Sequence, residues 1–153
     1  LRVLVARGET VGSVVAMLQE VSYKGFPVVT SETEMLVVGY MHTKTLSRVI
    51  TAAQSDQRVG LTTSVVFCAQ AEGNAPVVDL RGWMDKSPTM IFDTTPLPSV
   101  VELFRAAGLR YLLIVRDGRL VQIVKKKDLL EHLEHHENLL RTHPNQPQSF
   151  GFA

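Results

Sequence analysis

The chain has 153 residues, of which 45% are hydrophobic, and a formal net charge of +1. This length allows one compact core or two small half-domains that share one. The near-neutral charge does not indicate a nucleic-acid-binding or membrane-surface-binding protein, and the 7% aromatic content also argues against a base-stacking surface. No apolar run approaches the roughly 20 residues that span a bilayer. The single cysteine, Cys68, excludes an internal disulfide and favours a reducing compartment.

The first third of the chain predicts a short leading strand near residues 2–6, followed by helix, strand, strand and helix. Apolar residues within Thr10 to Val21 recur at helical spacing, and Thr10 is a suitable N-cap. The continuous apolar run "GFPVV" (Gly25 to Val29) is typical of a strand buried on both faces. A turn, "TSETEM", leads to a second apolar run, Leu36 to Met41, and a further helix closes the unit.

Residues 57–82 have a mixed character, and we predict that they form a linker. Within them "GNAP" indicates a loop, and "TTSVVF" indicates an additional strand. Cys68 follows that strand, and we interpret it as a small buried hydrophobic residue because no local catalytic pattern surrounds it.

The second half of the chain predicts the same succession of elements. A short strand near residues 89–92 precedes the helical pattern of Pro96 to Ala107, with Pro98 in its first turn and Gly108 at its end. The apolar run "YLLIV" then predicts a buried strand, and Asp117-Gly118 predicts a tight hairpin into the run "LVQIV".

These two halves form an internal repeat, because the same number of residues separates Ser13 from Ser99 and Gly25 from Tyr111. The turn of the first copy is longer by three residues, and turns tolerate such differences. We therefore expect an α+β fold of two βαββα units packed around a pseudo-twofold axis. The expected domains are residues 1–56, a linker at 57–82, and residues 83–153 with a C-terminal tail. Because the chain begins at Leu1, we expect it to be part of a longer protein.

Two βαββα units in tandem resemble a pair of CBS domains. The stretches "YKGFPVV", "LVVGYMHTKTL", "MDKSPTM", "LFRAAGLRYLLIVRDGRL" and "KKKDLLEHL" resemble the cytoplasmic C-terminal region of eukaryotic CLC chloride channels and chloride/proton exchangers. The endosomal exchanger branch looks closest. The resemblance implies a non-enzymatic regulatory domain on the cytoplasmic side of an endosomal, vacuolar or plasma membrane. Its implied partners are its own transmembrane CLC domain and a second copy in a homodimer.

The resemblance also implies an adenine-nucleotide site, with ATP, ADP or AMP as ligand and no required cofactor. In nucleotide-binding members of the family, adenine lies between the tyrosine and the proline of the first motif, and the aspartate that opens the last helix holds the ribose. A glycine between the two residues lets the backbone pass close to a flat ligand. The residues implied here are Tyr23 and Pro27 for adenine, Asp128 for the ribose hydroxyls and Lys127 for phosphate. The wider set of implied nucleotide-binding residues includes Arg2, Lys24, Gly25, Phe26 and Lys125.

Three basic residues depart from the family's pattern. Arg2, Lys24 and Lys125 stand where relatives carry hydroxyl residues, and they either strengthen phosphate binding or fill the cleft. Thr45 occupies the position that matches Asp128 in the first repeat, which argues against a second, symmetric site. Two alternatives stay open: a ligand-free structural or dimerisation module, and the nucleotide-sensing CBS pair of a soluble enzyme.

Several of these residues also have a structural interpretation. Tyr23 could cap the core at a helix end, and Asp128 is a suitable N-cap, with Glu131 completing a capping box. Trp83 and Met84 are interpreted as core or domain-interface anchors. No catalytic fingerprint is present in the sequence.

The last helix contains the cluster "HLEHHE", in which His132 and His136 have the spacing of metal-binding helices. The neighbouring leucines follow the spacing of a packed helix seam, which favours packing over metal binding. Leu133 and Leu140 are therefore expected on a dimer surface.

Overall fold

The computed structural model describes residues 1–68 and 73–142. This part of the chain contains four helices and three sheets of three short strands each. The α+β class is therefore confirmed. The chain divides into two compact units, unit 1 (Leu1–Pro88) and unit 2 (Thr89–Ala153).

Unit 1 contains two sheets and two helices. In the first sheet the central strand pairs in parallel with the leading strand and antiparallel with the strand that follows it. The second sheet is built largely from the predicted linker, and it confirms the extra strand expected within "TTSVVF". The elements are β1 (Leu4–Val5), β2 (Glu9–Thr10), α1 (Val11–Glu20), β3 (Gly25–Val29), β4 (Val37–His42), α2 (Thr43–Gln54), β5 (Ser64–Val66) and β6 (Val77–Asp79).

Unit 2 repeats the arrangement of the first sheet and its helices. The parallel and antiparallel pairings of its three strands match those in unit 1. Its elements are β7 (Met90–Phe92), α3 (Leu97–Ala107), β8 (Tyr111–Arg116), β9 (Arg119–Lys125) and α4 (Lys126–Thr142). Because residues 57–82 contribute strands to unit 1 and the units divide after Pro88, the domain boundaries at residues 56 and 83 stay a prediction.

The ends of helices α1 and α3 follow the predicted capping chemistry. Thr10 caps α1: its hydroxyl oxygen accepts a hydrogen bond from Ser13 N at 3.1 Å, and Ser13 Oγ accepts one from Thr10 N at 2.9 Å. Pro98 lies in the first turn of α3, and Gly108 ends that helix in the left-handed conformation at φ 59°. The hairpin between β8 and β9 turns at Asp117 and Gly118, both with positive φ.

Each unit has its own apolar core beneath its helices. Strand β3 is buried along its whole length, and β8 is buried at four consecutive positions, which confirms the continuous apolar runs as interior strands. The core of unit 1 includes Leu4, Val11, Val14, Phe26, Val28, Met41, Leu46, Ile50, Val65, Phe67 and Leu80. The core of unit 2 includes Ile91, Val100, Phe104, Leu112, Ile114, Val124 and Leu129.

The repeat extends to the hydrogen bonds and the irregularities of the strands. The pairing of β3 with β4 shifts register after Val28, and the pairing of β8 with β9 shifts after Ile114, the equivalent position.

Helix α4 begins at Lys126, so Asp128 is its third residue and the prediction that Asp128 is the N-cap is wrong. Thr45 is likewise the third residue of α2.

The segment that ends unit 1 packs on the edge of β4. Tyr40 N donates to Asp85 O at 2.8 Å, and Asp85 N donates to Tyr40 O at 2.9 Å. Met84 is buried there, as predicted, whereas Trp83 is exposed and is not a core residue. This close approach requires Gly39, because a Cβ atom at this position would lie 2.5 Å from Asp85 O and 2.7 Å from Met84 Sδ.

We expect Gly39→Ala to lower the free energy of unfolding by about 1–3 kcal/mol, because the backbone of Asp85 cannot move without loss of its bonds to β4. Chemical denaturation measures the change. Gly60→Ala is the matched control, since nothing lies within 4 Å of a Cβ atom at that position. Equal stability of the two variants would contradict the close packing of this segment on β4.

Candidate functional site

The first half of the candidate site is the loop that joins α1 to β3. Thr43, the first residue of α2, anchors this loop by two hydrogen bonds. Its hydroxyl donates to Tyr23 O at 2.6 Å, and its amide donates to Lys24 O at 2.9 Å. The ring of Tyr23 is 38% exposed and packs at a tilt against Phe26, with ring centroids 5.9 Å apart. The loop therefore presents a partly exposed aromatic ring at a fixed position.

Gly25 is required by packing within unit 1. A Cβ atom at this position would lie 2.5 Å from the ring of Tyr40, so the glycine accommodates a tyrosine of β4, and its role beside a ligand stays a prediction. The Tyr40 ring is buried and meets His42 edge-on at 5.2 Å. Burial raises the pKa of Tyr40 to about 12.

The two residues expected to contact adenine differ in accessibility. Tyr23 is exposed, whereas Pro27 is buried in the middle of β3, opposite Tyr40. Phe26 is completely buried in the core of unit 1 and therefore supports Tyr23 from within. A ligand would reach the ring of Pro27 only if the atoms that cover it moved.

Arg2 has a partner within unit 1. Its Nη2 atom lies 2.5 Å from Oε2 of Glu20, and both side chains are about half exposed. Glu20 is the last residue of α1, where a carboxylate faces the negative end of the helix dipole, and the guanidinium offsets that charge. Sequence reasoning missed Glu20, because nothing in the local pattern indicates an ion pair between two separate elements. Lys24 is exposed.

The second half of the candidate site lies at the junction of β9 and α4. Lys125 ends β9 and is half-buried, and Lys126 N donates to Arg110 O at 2.9 Å. Lys127 is exposed, with its Nζ atom 3.7 Å from Oε1 of Glu131. Asp128 is exposed in the first turn of α4, where the helix dipole favours a negative charge.

The predicted site residues therefore belong to two units. Arg2 and Tyr23 to Pro27 lie in unit 1, and Lys125, Lys127 and Asp128 lie in unit 2. Each half is ordered by a hydrogen bond from the first residue of a helix, made at equivalent positions of the repeat. The meeting of the two halves around one ligand stays a prediction.

Unit 1 also contains an open groove of about 540 Å³ beside α1. Arg2, Ser13, Met17 and Glu20 line it, together with Met35 from the turn between β3 and β4. Neither Tyr23 nor Pro27 lines this groove, so it is distinct from the predicted adenine site.

Neither a metal-binding cluster nor a membrane-spanning helix is found in the described part of the chain. Its side chains include no group of three His, Cys, Asp or Glu residues that could hold a metal ion, and none of its helices is long and apolar enough to cross a bilayer. The side chain of His136 lies outside the described residues. Cys68 is half-buried against the core of unit 1, where its Sγ accepts from Arg7 Nε at 3.2 Å.

Comparison with known proteins finds relatives whose sequences align with most of this chain. Residues 76–135 match the family model of the CBS domain. The H⁺/Cl⁻ exchange transporter 5 of Cavia porcellus is 36% identical over 138 residues, which are 87% of this chain and 18% of that protein. The H⁺/Cl⁻ exchange transporter 3 of Homo sapiens is also 36% identical over 138 residues, 87% of this chain and 17% of that protein. The chain thus spans less than one fifth of the length of these relatives.

Solved structures with the same fold are CBS domain proteins. One from Streptococcus pneumoniae TIGR4 has a TM-score of 0.60 at 15% identity and covers 90% of this chain and 81% of that one. CBSX2, crystallised in complex with AMP, has a TM-score of 0.59 at 20% identity and covers 90% of each chain. At these identities the likeness shows the fold alone. The chain belongs to the CBS-domain family, and it corresponds to the CBS region of the CLC-type H⁺/Cl⁻ exchange transporters.

Proposed function

We propose that this chain is the cytoplasmic regulatory domain of a CLC-type chloride/proton exchanger and that it binds an adenine nucleotide. The similarity to the exchangers over 87% of the chain supports the first part of the proposal. The observation that carries the second part is the loop at Tyr23, which holds an aromatic ring partly exposed over a buried phenylalanine. A CBS structure with the same fold has been crystallised with AMP.

In the proposed site, adenine stacks on Tyr23 and the ribose hydroxyls donate to the carboxylate of Asp128. An aromatic ring offers a face to any base, and an exposed carboxylate can accept two hydrogen bonds. Lys24, Lys125 and Lys127 supply positive charge for the phosphates.

Regulation would follow from differential affinity. A nucleotide that binds one conformation of the domain more tightly than another shifts the equilibrium between the two conformations by that difference alone. If the transmembrane domain is coupled to the same equilibrium, transport changes with nucleotide concentration. No catalytic step is involved in this mechanism.

The second candidate is a ligand-free structural module, and two contacts favour it. Pro27 is buried, and Arg2 is paired with Glu20 and not held ready for phosphate. In this case the loop at Tyr23 serves only to cap the core. The third alternative, the CBS pair of a soluble enzyme, has no comparable support, because the relatives named above are transporters.

We also propose that the domain pairs with a second copy through α4, at a residue beyond those expected. Leu133 is partly buried against the core of unit 2, and its place on a dimer surface stays a prediction. The side chain of Leu140 lies outside the described residues. Among the described side chains of α4, Leu130 is an exposed apolar residue, at 50% exposure, and is available to a partner.

Nucleotide binding is tested by calorimetric titration of the chain with ATP, ADP and AMP. We expect Tyr23→Ala to weaken binding roughly tenfold or more, because stacking of a base on an aromatic ring is lost. Tyr23→Phe is the matched control and keeps most of the affinity. Failure of the chain to bind any of the three nucleotides at millimolar concentration would favour the ligand-free module.

The ion pair of Arg2 predicts a difference between nucleotides. Glu20→Gln releases Arg2, and we expect ATP binding to tighten by roughly two- to fivefold, the range of an exposed charge pair, while adenosine binding stays unchanged. The double variant Arg2→Gln/Glu20→Gln should lose this gain. An equal effect on ATP and adenosine would show that Arg2 does not reach the phosphates.

The role of α4 in pairing is tested by analytical ultracentrifugation. We expect Leu130→Lys to shift the chain from dimer to monomer, because an ammonium group at an apolar contact is costly to desolvate. His135→Lys adds the same side chain at another exposed position of α4 and should leave the dimer intact. A wild-type chain that sediments as a monomer at all concentrations would contradict pairing of the isolated domain.

A further inference from the structure

Trp83, the only tryptophan of the chain, projects from the surface of unit 1. Its side chain is 51% exposed. The backbone around it is fixed, because Trp83 N donates to Leu80 O at 3.0 Å and the next residue, Met84, is buried. The indole is therefore held outward on a rigid turn, and neither the core nor the proposed nucleotide site uses it.

Positive charge lies beside the indole. The guanidinium carbon of Arg48 is 5.4 Å from the centroid of the Trp83 ring, within the range of a cation–π contact. Lys44 precedes Arg48 by one helical turn, so both cations lie on the same face of α2. Lys44, Arg48 and Trp83 are called the Trp83 patch below.

The positive charge of the Trp83 patch is not neutralised within the described part of the chain. Helix α2 contains no aspartate or glutamate, and neither Lys44 nor Arg48 forms an ion pair with a described residue. The carboxylates nearest to Trp83 along the chain do not pair with Lys44 or Arg48. Asp79 forms an ion pair with Arg81 at 2.6 Å, and Asp85 keeps its charge while its Oδ1 accepts from Ser87 N at 2.9 Å.

We propose that the Trp83 patch docks on an anionic lipid surface. Tryptophan prefers the boundary between headgroups and acyl chains, where its ring is apolar and its N–H can still find an acceptor. Lysine and arginine beside it are attracted to anionic headgroups. A single projecting ring flanked by cations suits a bilayer surface better than a protein partner, which would need a larger apolar area.

The position of this domain beside a bilayer rests on the proposed function, whereas the chemistry of the patch does not. A domain tethered to a transmembrane partner meets the membrane surface at high effective concentration, so a weak contact is sufficient. Contact of the patch with the leaflet would favour those arrangements of the domain that bring α2 to the membrane. Lipid composition would then regulate the domain independently of nucleotide.

The emission of Trp83 gives a direct test, because no other tryptophan contributes. The 153-residue chain is titrated with vesicles of phosphatidylcholine alone and of phosphatidylcholine with phosphatidylserine. We expect a blue shift only with the anionic vesicles, reversed by high salt, and quenching by lipids brominated on the acyl chain. Arg48→Gln should weaken the partition about fivefold, the contribution of one cation near an anionic membrane.

Matched variants separate the patch from general electrostatics. Arg105→Gln removes one exposed cation from unit 2, where Arg105 lies near Glu102, and should leave the partition unchanged. Trp83→Phe, followed by co-sedimentation with vesicles, should bind more weakly than wild type while its thermal unfolding is unaltered. Because these tests contain no nucleotide, their failure is distinguishable from failure of the proposed nucleotide site.

Three results would overturn the proposal. The first is an emission spectrum that anionic vesicles do not change. The second is an equal loss of partition for Arg48→Gln and Arg105→Gln, which would mean that net charge alone drives adsorption. The third is a blue shift that grows with protein concentration without vesicles, which would assign the patch to contact with a second copy.

Discussion

In each unit, an equivalent hydrogen bond joins the second helix to the loop before the central strand. In unit 1 it runs from Thr43 N to Lys24 O, and in unit 2 from Lys126 N to Arg110 O, each at 2.9 Å. Because the bond joins a helix N-terminus to a neighbouring loop, it satisfies one of the amide groups that every helix leaves without an internal partner. The same bond places Tyr23 in the first repeat and Asp128 in the second.

The two copies of this junction therefore differ in chemistry more than in geometry. One offers an aromatic ring and the other a carboxylate with adjacent lysines, whereas Thr45 replaces that carboxylate in the first copy. Divergence at equivalent positions is what a single, asymmetric site would require. The exposed ion pair of Arg2 with Glu20 contributes little to stability in water, so its loss would cost the fold little.

The elements of the fold could be predicted from the sequence because the signals are local. Helical spacing, the Thr10 cap, Gly108 and the Asp117-Gly118 hairpin each depend on neighbours a few residues away. Contacts between distant segments had no such signal. The ring of Tyr40 over Gly25 and the partner of Arg2 both join separate elements, and the exposure of Trp83 depends on how its turn packs. The resemblance to CLC proteins supplied candidate site residues, but not the burial of Pro27.

The central proposal is that one adenine nucleotide binds through the residues named above, among them Tyr23 and Asp128. Amide hydrogen exchange of the 153-residue chain, measured with and without saturating ATP, tests it most directly. The account predicts that ATP slows exchange at Tyr23 to Gly25 and at Lys126 to Asp128 together, and that Tyr23→Ala abolishes both effects. Protection confined to one unit, or unchanged exchange in both, would contradict it.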